Sequence, residues 1–439
     1  MALDNGVVTA LGGERLGPQH KSLPPAAWGL SVREYLATAP HLDDLQTPVL
    51  TVDRAAVDSN LAVMAAWSRQ AGVRLSPHGK TTMSPQLWRE QLEAGAWGIT
   101  LATVWQVQVG RSFGLDRIML ANALVDPIGL RWVADELAND PDFEFYCWAD
   151  GLSTVREMER ILESAPEGVR VPVLVELGGP HGRTGARTLS EAYEVAEAIH
   201  DSARLVLAGV GGYEGALAHD RTPEGLAAVR HYLDELGILH QELASQGRYE
   251  GRAILTAGGS AYPDLVVERL AGLADEDGAH GVPATVVLRS GAYLIHDDGF
   301  YSGISPLTAG GVALTGADRP LRAGMHGWAR SVSRPEPGLA LLDAGKRDLP
   351  FDEGLPVPQR MAGPAVPSLP AGAVVTALND QHTFLRLPDG AAEAVPVGSV
   401  VRLGLSHPCT AFDKWRLIPV VDDADAERPR IVDFLHTYF

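Results

Sequence analysis

The sequence predicts an α/β protein, a TIM-like (β/α)8 barrel followed by a C-terminal all-β domain. Three observations predict it. Eight short apolar runs alternate with helical stretches between Val73 and Arg289. No GxGxxG fingerprint follows the first run, where an open doubly wound sheet would carry one. After about Ser305 the helical periodicity stops, and short β-like runs separated by Gly and Pro replace it. A length of 439 residues exceeds what one hydrophobic core sustains and leaves room for both units. The expected division is an N-terminal extension over 1–46, a barrel over 47–305 and a β-domain over 306–439.

Residues 1–46 have no clear period and are rich in Gly and Pro (GGERLGPQ, LPPAAWG). From Thr47 the pattern changes. TPVLTVD reads as a buried strand, and Asp53 is placed to cap a helix in which Val57, Leu61 and Met64 recur at helical spacing until Gly72 stops it. The eight barrel runs then follow as VRLSPH (73–78), GITLAT (98–103), RIMLAN (117–122), FEFYCW (143–148), VPVLVEL (171–177), LVLAGVG (205–211), RAILTAG (252–258) and ATVVLR (284–289). Between them lie helical stretches such as SPQLWREQLEAG and PEGLAAVRHYLDELGILHQELA. In the last third, LALLDAG, AVVTALN, TFLRL, SVVRLGLS, RLIPVV and IVDFL read as strands, and DDADAER (422–428) as a solvated hairpin loop.

Composition narrows the function. Hydrophobic residues at 46% and charged residues at 21% are ordinary for a globular protein and exclude global disorder. Lys and Arg number 36 against 55 Asp and Glu, a formal net charge of −19. Such a surface repels phosphate backbones, which argues against nucleic acid as a partner. Two cysteines, Cys147 and Cys409, are too few for a disulfide scaffold and fit a reducing compartment. No signal-like start and no membrane-length apolar run is present, so the expectation is a soluble cytoplasmic protein.

In a barrel of this kind the chemistry sits at the C-terminal ends of the strands. There the unusual residues fall: Lys80 after the first run, His181 and Arg183 after the fifth, Tyr213 and His219 after the sixth. Gly258-Gly259-Ser260 follows the seventh, and Arg289-Ser290-Gly291-Ala292-Tyr293 the eighth. A Gly-Gly-Ser turn into a helix start offers backbone N–H groups that suit a phosphate, although such a turn also needs small residues for shape alone. A desolvated lysine at a strand end loses charge and forms a Schiff base, whereas on position alone a solvated surface lysine is the plainer reading. Lysine and phosphate site facing one mouth favour pyridoxal 5′-phosphate (PLP), which needs both. In the β-domain, Ser406-His407-Pro408-Cys409-Thr410 offers an imidazole and a thiolate. Read as a strand, it places His407 and Cys409 on one face, a donor pair for Zn²⁺, with Mn²⁺ as the other candidate.

These segments resemble a known family. PHGKTTMSPQLWREQLEAGAWGITLATVWQ, ELGGPHGRTG, GVGGYEGALAH, TAGGSAYPD, LRSGAYLIHDD, DAGKRDLPFDEG, NDQHTFL and SHPCTAFDKW occur in the order seen in the D-serine dehydratase and D-threonine aldolase group. These are fold-type III PLP enzymes related to alanine racemase, and the resemblance spans about residues 45–420. It implies that Lys80 is the Schiff-base lysine. It also implies that Gly258, Gly259, Ser260, Gly291, Ala292 and neighbouring Tyr293 form the phosphate side of the cofactor site. Arg183 matches the arginine near the PLP phenolic oxygen, Tyr213 the tyrosine by the ring, and His219 a histidine that acts on the substrate hydroxyl in the aldolases. His407 and Cys409 match the metal pair of the dehydratases. A homodimer, and an N-terminal extension joined to the β-domain, are implied as well. Ser76, Thr82 and the segment Leu177–Arg183 depart from the family's usual residues and mark a divergent, deaminase-like subgroup. His181, His296 and His382 read as structural histidines and Cys147 as core.

The expected activity is therefore a PLP- and metal-dependent lyase acting on a D-β-hydroxy-α-amino acid. Dehydration releasing ammonia and a 2-oxo acid comes first, and retro-aldol cleavage to glycine and an aldehyde is the alternative. A non-catalytic PLP-binding protein is the alternative of another class; such proteins resemble the barrel alone, and the His-x-Cys segment argues against it.

Overall fold

The computed structural model describes residues 3–179, 182–279, 281–311, 315–363 and 368–439. The N-terminal extension is mostly irregular, with short helices at Asn5–Ala10 and Val32–Leu36. Polar caps start both: Asp4 Oδ1 accepts from the Gly6 N–H at 2.8 Å, and Ser31 and Glu34 exchange bonds in a capping box. Its apolar residues Leu16, Leu23, Val32 and Tyr35 are buried against Trp328, Leu417 and Phe434 of the β-domain. Each such side chain contributes roughly 1.5–3 kcal/mol of burial, so this part of the extension belongs to that core, whereas Leu3 and Val8 pack into the main core.

Strand β1 (Val49–Asp53) follows, and Asp53 caps the helix Arg54–Gln70 by accepting from the Ala56 N–H at 3.1 Å. Here the structure corrects the boundary expected at residue 47. β1 pairs antiparallel with the strand of Trp328 (Val49 opposite Trp328) and parallel with that of Val420 (Val52 opposite Val420), so it belongs to the β-domain sheet. All five of its residues are buried. A strand covered on both faces reads alike in a parallel barrel and in the centre of a mixed sheet.

The barrel strands are β2 (Arg74–Leu75), β3 (Ile99–Leu101), β4 (Arg117–Ala123), β5 (Glu144–Ala149), β6 (Val171–Leu177), β7 (Leu205–Gly212), β8 (Ala253–Ala257) and β9 (Ala284–Leu288). They run parallel in the order β2-β9-β8-β7-β6-β5-β4-β3. The two ends meet: Leu75 O accepts from the Trp97 N–H at 2.6 Å and Pro77 O from the Thr100 N–H at 2.9 Å. Met119, Trp148, Leu174, Ala208, Ile254 and Val287 cluster together, one from each of six strands, and fill the interior. Their chain neighbours Ile118, Phe145, Cys147 and Val173 join the main core instead, as a period of two requires. Cys147 is thus a core residue, and burial pushes its thiol up.

The β-domain adds β10 (Met325–Glu336), β11 (Leu339–Leu342), β12 (Val357–Met361), β13 (Val374–Leu378), β14 (Thr383–Arg386), β15 (Val400–Gly404), β16 (Leu417–Val421) and β17 (Ile431–His436). With β1 they form a nine-stranded sheet. β10 and β12 are absent from the apolar runs in the sequence, because Arg and Pro interrupt both and neither is buried along its whole length. DDADAER is the turn between β16 and β17, although Ala424 within it is fully buried. Among the described residues no helix is long and apolar enough to cross a membrane.

Candidate active site

The C-terminal ends of the barrel strands, closed over by the β-domain segment around Cys409, enclose a cavity of about 470 Å³. Lys80, Arg183, Tyr213, His219, Gly259, Ser260, Gly291, Ala292, His407 and Cys409 all line it. Two expected cofactor contacts do not. Tyr293 is buried beneath, its hydroxyl accepting from Gln91 Nε2 at 3.1 Å, because the 3₁₀ turn Ala292–Leu294 points it into the core. Gly258 is withdrawn by the hydrogen bonding described below.

Lys80 sits in a 3₁₀ turn, Gly79–Thr81, just past β2. Only glycine fits before it: a Cβ on Gly79 would lie 2.6 Å from Trp88 Nε1 and 2.7 Å from Ile99 Cγ2. Burial lowers the Lys80 pKa; the nearby Cys409 opposes this, and Arg183 and Arg289 add to it. His78 is held well below its usual pKa by burial first, then by the positive charge of Lys80, Arg289 and Arg183. Its Nδ1 finds no hydrogen-bond partner among the described residues.

Arg183 lies over the Tyr213 ring, 5.0 Å from its centroid. The loop that carries it is tied by Arg187, whose guanidinium donates to Gly179 O, Gly182 O, Arg183 O and Thr184 O at 2.8–3.2 Å. His181 lies outside the described residues. His219 faces the cavity and is otherwise exposed, whereas His296 and His382 do not reach it. His296 is a buried structural histidine whose pKa burial lowers to about 4.

The phosphate cup departs from expectation. The N–H groups of Gly258 and Gly259 donate to Glu214 Oε2 and Oε1, at 3.0 and 2.7 Å. Glu214 is fully buried, and burial raises its pKa against the pull of these donors. An incoming anion is therefore left with Ser260, Gly291 and Ala292, where the Ala292 N–H already meets Ser260 Oγ at 3.2 Å. A Cβ on Gly291 would strike the His78 backbone at 2.6 Å, so the two loops touch at this corner. Arg289 is buried under the same cavity, donating to Thr256 Oγ1 at 2.7 Å and to Gly212 O. A lysine whose hold on its proton is weakened by burial, a guanidinium over an aromatic ring and a small-residue corner fit the parts of PLP.

The His-x-Cys pair is together in space but not on a strand, which corrects the expectation. His407 is the N-cap of the short helix Pro408–Phe412, in the left-handed region at φ 56°, with Pro408 at the first helical position. The helix start, not a pleat, brings Cys409 back beside it. A hydrogen bond between the two side chains raises the His407 pKa to about 9. Burial opposes ionisation of Cys409, but hydrogen bonds with His407 and Thr81 and the positive charge of His407 and Lys80 take the thiol below its ordinary value. Two groups that share a proton this way have the chemistry to share a divalent ion. Among the described residues no third His, Cys, Asp or Glu joins them as a ligand cluster. His407 Nδ1 is instead 2.5 Å from Asp352 Oδ2.

Residue type does not single out Glu214, Arg187 or Asp352, and it marks Arg289 only as the first residue of the turn after the eighth run. Each stands inside or beside a quoted segment, but a hydrogen-bonding role to backbone or to a neighbouring ring has no signature in residue type.

Residues 324–421 match the family model described as a putative serine dehydratase domain. The chain is 27% identical to the D-threonine aldolase of Arthrobacter sp over 383 residues, covering 87% of this chain and 91% of that protein. It is 24% identical to the D-threo-3-hydroxyaspartate dehydratase of Delftia sp. (strain HT23), covering 83% and 91%. Among solved structures, the D-threonine aldolase from Filomicrobium marinum superposes with a TM-score of 0.73 at 23% identity, over 90% of this chain and 95% of that one. An alanine racemase-like protein from Idiomarina loihiensis gives 0.66 at 18% identity, over 89% and 96%, a likeness of fold alone.

Proposed function

We propose that this chain is a member of the D-serine dehydratase and D-threonine aldolase family and a PLP- and metal-dependent lyase of D-β-hydroxy-α-amino acids. Dehydration to a 2-oxo acid and ammonia is its main reaction in this reading. The observation that carries it is the sharing of one cavity by Lys80, the corner Ser260–Ala292 and the pair His407–Cys409. PLP supplies an electron sink for charge released at the substrate α-carbon, and a divalent ion polarises a β-hydroxyl.

Lys80 would hold the cofactor covalently, and Ser260, Gly291 and Ala292 its phosphate. Burial weakens the hold of Lys80 on its proton, which makes the amine a better nucleophile and, once released, a base for the α-proton. Arg183, fixed over Tyr213, orients an anionic ring oxygen or substrate group. His407 and Cys409 would hold the metal, zinc in first place, with the remaining positions open to water and the β-hydroxyl.

Cys409 favours dehydration, since thiolate is the donor the resemblance associates with dehydratases, and a cysteine-to-alanine variant of a D-threo-3-hydroxyaspartate dehydratase is known in a metal-free form. The retro-aldol reading has its own support in the match to the Arthrobacter aldolase and in His219, which faces the cavity ready to take a hydroxyl proton. Assaying D-serine, D-threonine and D-threo-3-hydroxyaspartate, with ammonia and aldehyde measured separately, tests both. Ammonia without aldehyde supports dehydration, glycine with aldehyde supports cleavage, and no turnover of any of them returns the non-catalytic PLP binder. A cytoplasmic homodimer completes the proposal, and sedimentation of the purified protein checks its stoichiometry.

A further inference from the structure

We propose that Asp352 is a positioning residue of the metal site, fixing the tautomer and direction of the His407 ring. The inference rests on the reading of His407 and Cys409 as metal donors. An ionised carboxylate only accepts hydrogen bonds, so the 2.5 Å contact between Asp352 Oδ2 and His407 Nδ1 places the ring proton on Nδ1. With Nδ1–H held by Asp352, Nε2 is the ring nitrogen left to offer a lone pair to a metal once its own proton is displaced. The other carboxylate oxygen is held as well: Thr410 Oγ1 donates to Asp352 Oδ1 at 2.7 Å, and Thr410 directly follows Cys409. Asp352 thus ties both donors to one loop, between β11 and β12.

The backbone of His407 is anchored independently. Its N–H donates to Asp297 Oδ2 at 3.2 Å, while Asp297 Oδ1 accepts from the N–H groups of Gly299, Tyr301 and Ser302 at 2.9–3.2 Å. Ring rotation about the side-chain torsions is the freedom that remains, and Asp352 removes it. With only two protein donors available among the described residues, orientation of each one matters more than in a closed four-ligand site.

The test is Zn²⁺ affinity of the holoenzyme, measured by competition with a chromophoric chelator, alongside the PLP absorption spectrum and thermal midpoint. Asp352→Ala is expected to weaken binding by about 10- to 100-fold with the spectrum unchanged. Asp352→Asn, whose amide oxygen still accepts from Nδ1, should recover part of that loss, and it decides the matter if the alanine variant fails to fold. Zn²⁺ bound as tightly by both variants as by the wild type, and lost in His407→Ala, overturns the role of Asp352 while leaving the metal site standing. Failure of the wild type to bind Zn²⁺ overturns both.

Discussion

Glu214 Oε1 accepts the N–H of Gly259 at 2.7 Å, and its partner oxygen accepts that of Gly258 at 3.0 Å, so a buried carboxylate already holds the turn that the sequence offers to a phosphate. Removing it strands the buried Gly258 N–H and frees that of Gly259 at the cavity wall. Glu214→Ala should destabilise the fold by about 1–3 kcal/mol, the cost of leaving one buried N–H unpaired, and should weaken PLP binding by loosening the corner at Ser260. Chemical denaturation and a PLP titration check this. Unchanged values in both would mean that the Glu214 bonds are incidental.

Lys80→Ala should abolish the visible absorption of lysine-bound PLP and all turnover while leaving the thermal midpoint within the range of a surface substitution. Lys80 lines the cavity and, among the described residues, makes no ion pair within 4 Å, so the fold gains little from its charge. Arg183→Ala, by contrast, should keep the covalent spectrum and raise KM or lower PLP affinity, since it removes only the group stacked over Tyr213. A Lys80→Ala protein that retains both spectrum and activity would show that the lysine is misassigned.

Much of the architecture was legible because parallel strands buried on both faces produce short apolar runs, and Asp53, Gly72 and Gly79 mark where helices and turns begin or end. What stayed hidden depends on partners distant in sequence. β1 carries no mark of which sheet it joins, since its neighbours Trp328 and Val420 lie in the last third of the chain. The helix at Pro408 reads as a strand in the sequence because five residues with Pro at the first position fit either. Glu214 and Asp352 act through hydrogen bonds to Gly259 and His407, and neither pairing follows from spacing.

Acid should destabilise the protein through its buried histidines. Burial lowers His240 and His296 to about 4 and His326 to about 3. Because these folded-state values lie below the unfolded value near 6.5, the native state takes up fewer protons than the unfolded chain as pH falls, and stability is lost between about pH 6.5 and 4, for His326 down to about 3. Each histidine accounts for at most about 3 kcal/mol by the bottom of that window. Asp298, raised by burial to about 6, works the other way, costing stability as pH rises from about 4 to 6, and offsets part of it. His240→Gln, which keeps a polar partner for the Tyr249 hydroxyl, should flatten the pH dependence of the urea midpoint. A variant with the same slope as the wild type would mean that His240 does not contribute.

Metal removal should separate chemistry from folding. His407 and Cys409 are the available donors, on a short helix whose position is fixed by its own core contacts: Ala411 and Phe412 are fully buried. The scaffold therefore does not need the ion, unlike a closed four-ligand site that folds only around its metal. A chelator is expected to remove β-hydroxyl chemistry while leaving the PLP spectrum and thermal midpoint nearly unchanged, with activity restored by added Zn²⁺ or Mn²⁺. His407→Ala and Cys409→Ala should each reproduce the chelated state and resist restoration, since either leaves a single donor. Full turnover of D-serine and D-threonine by metal-stripped protein would rule out metal assistance. The His407–Cys409 pair would then be a proton-sharing contact between the β-domain and the Lys80 turn, through the hydrogen bond of Cys409 with Thr81.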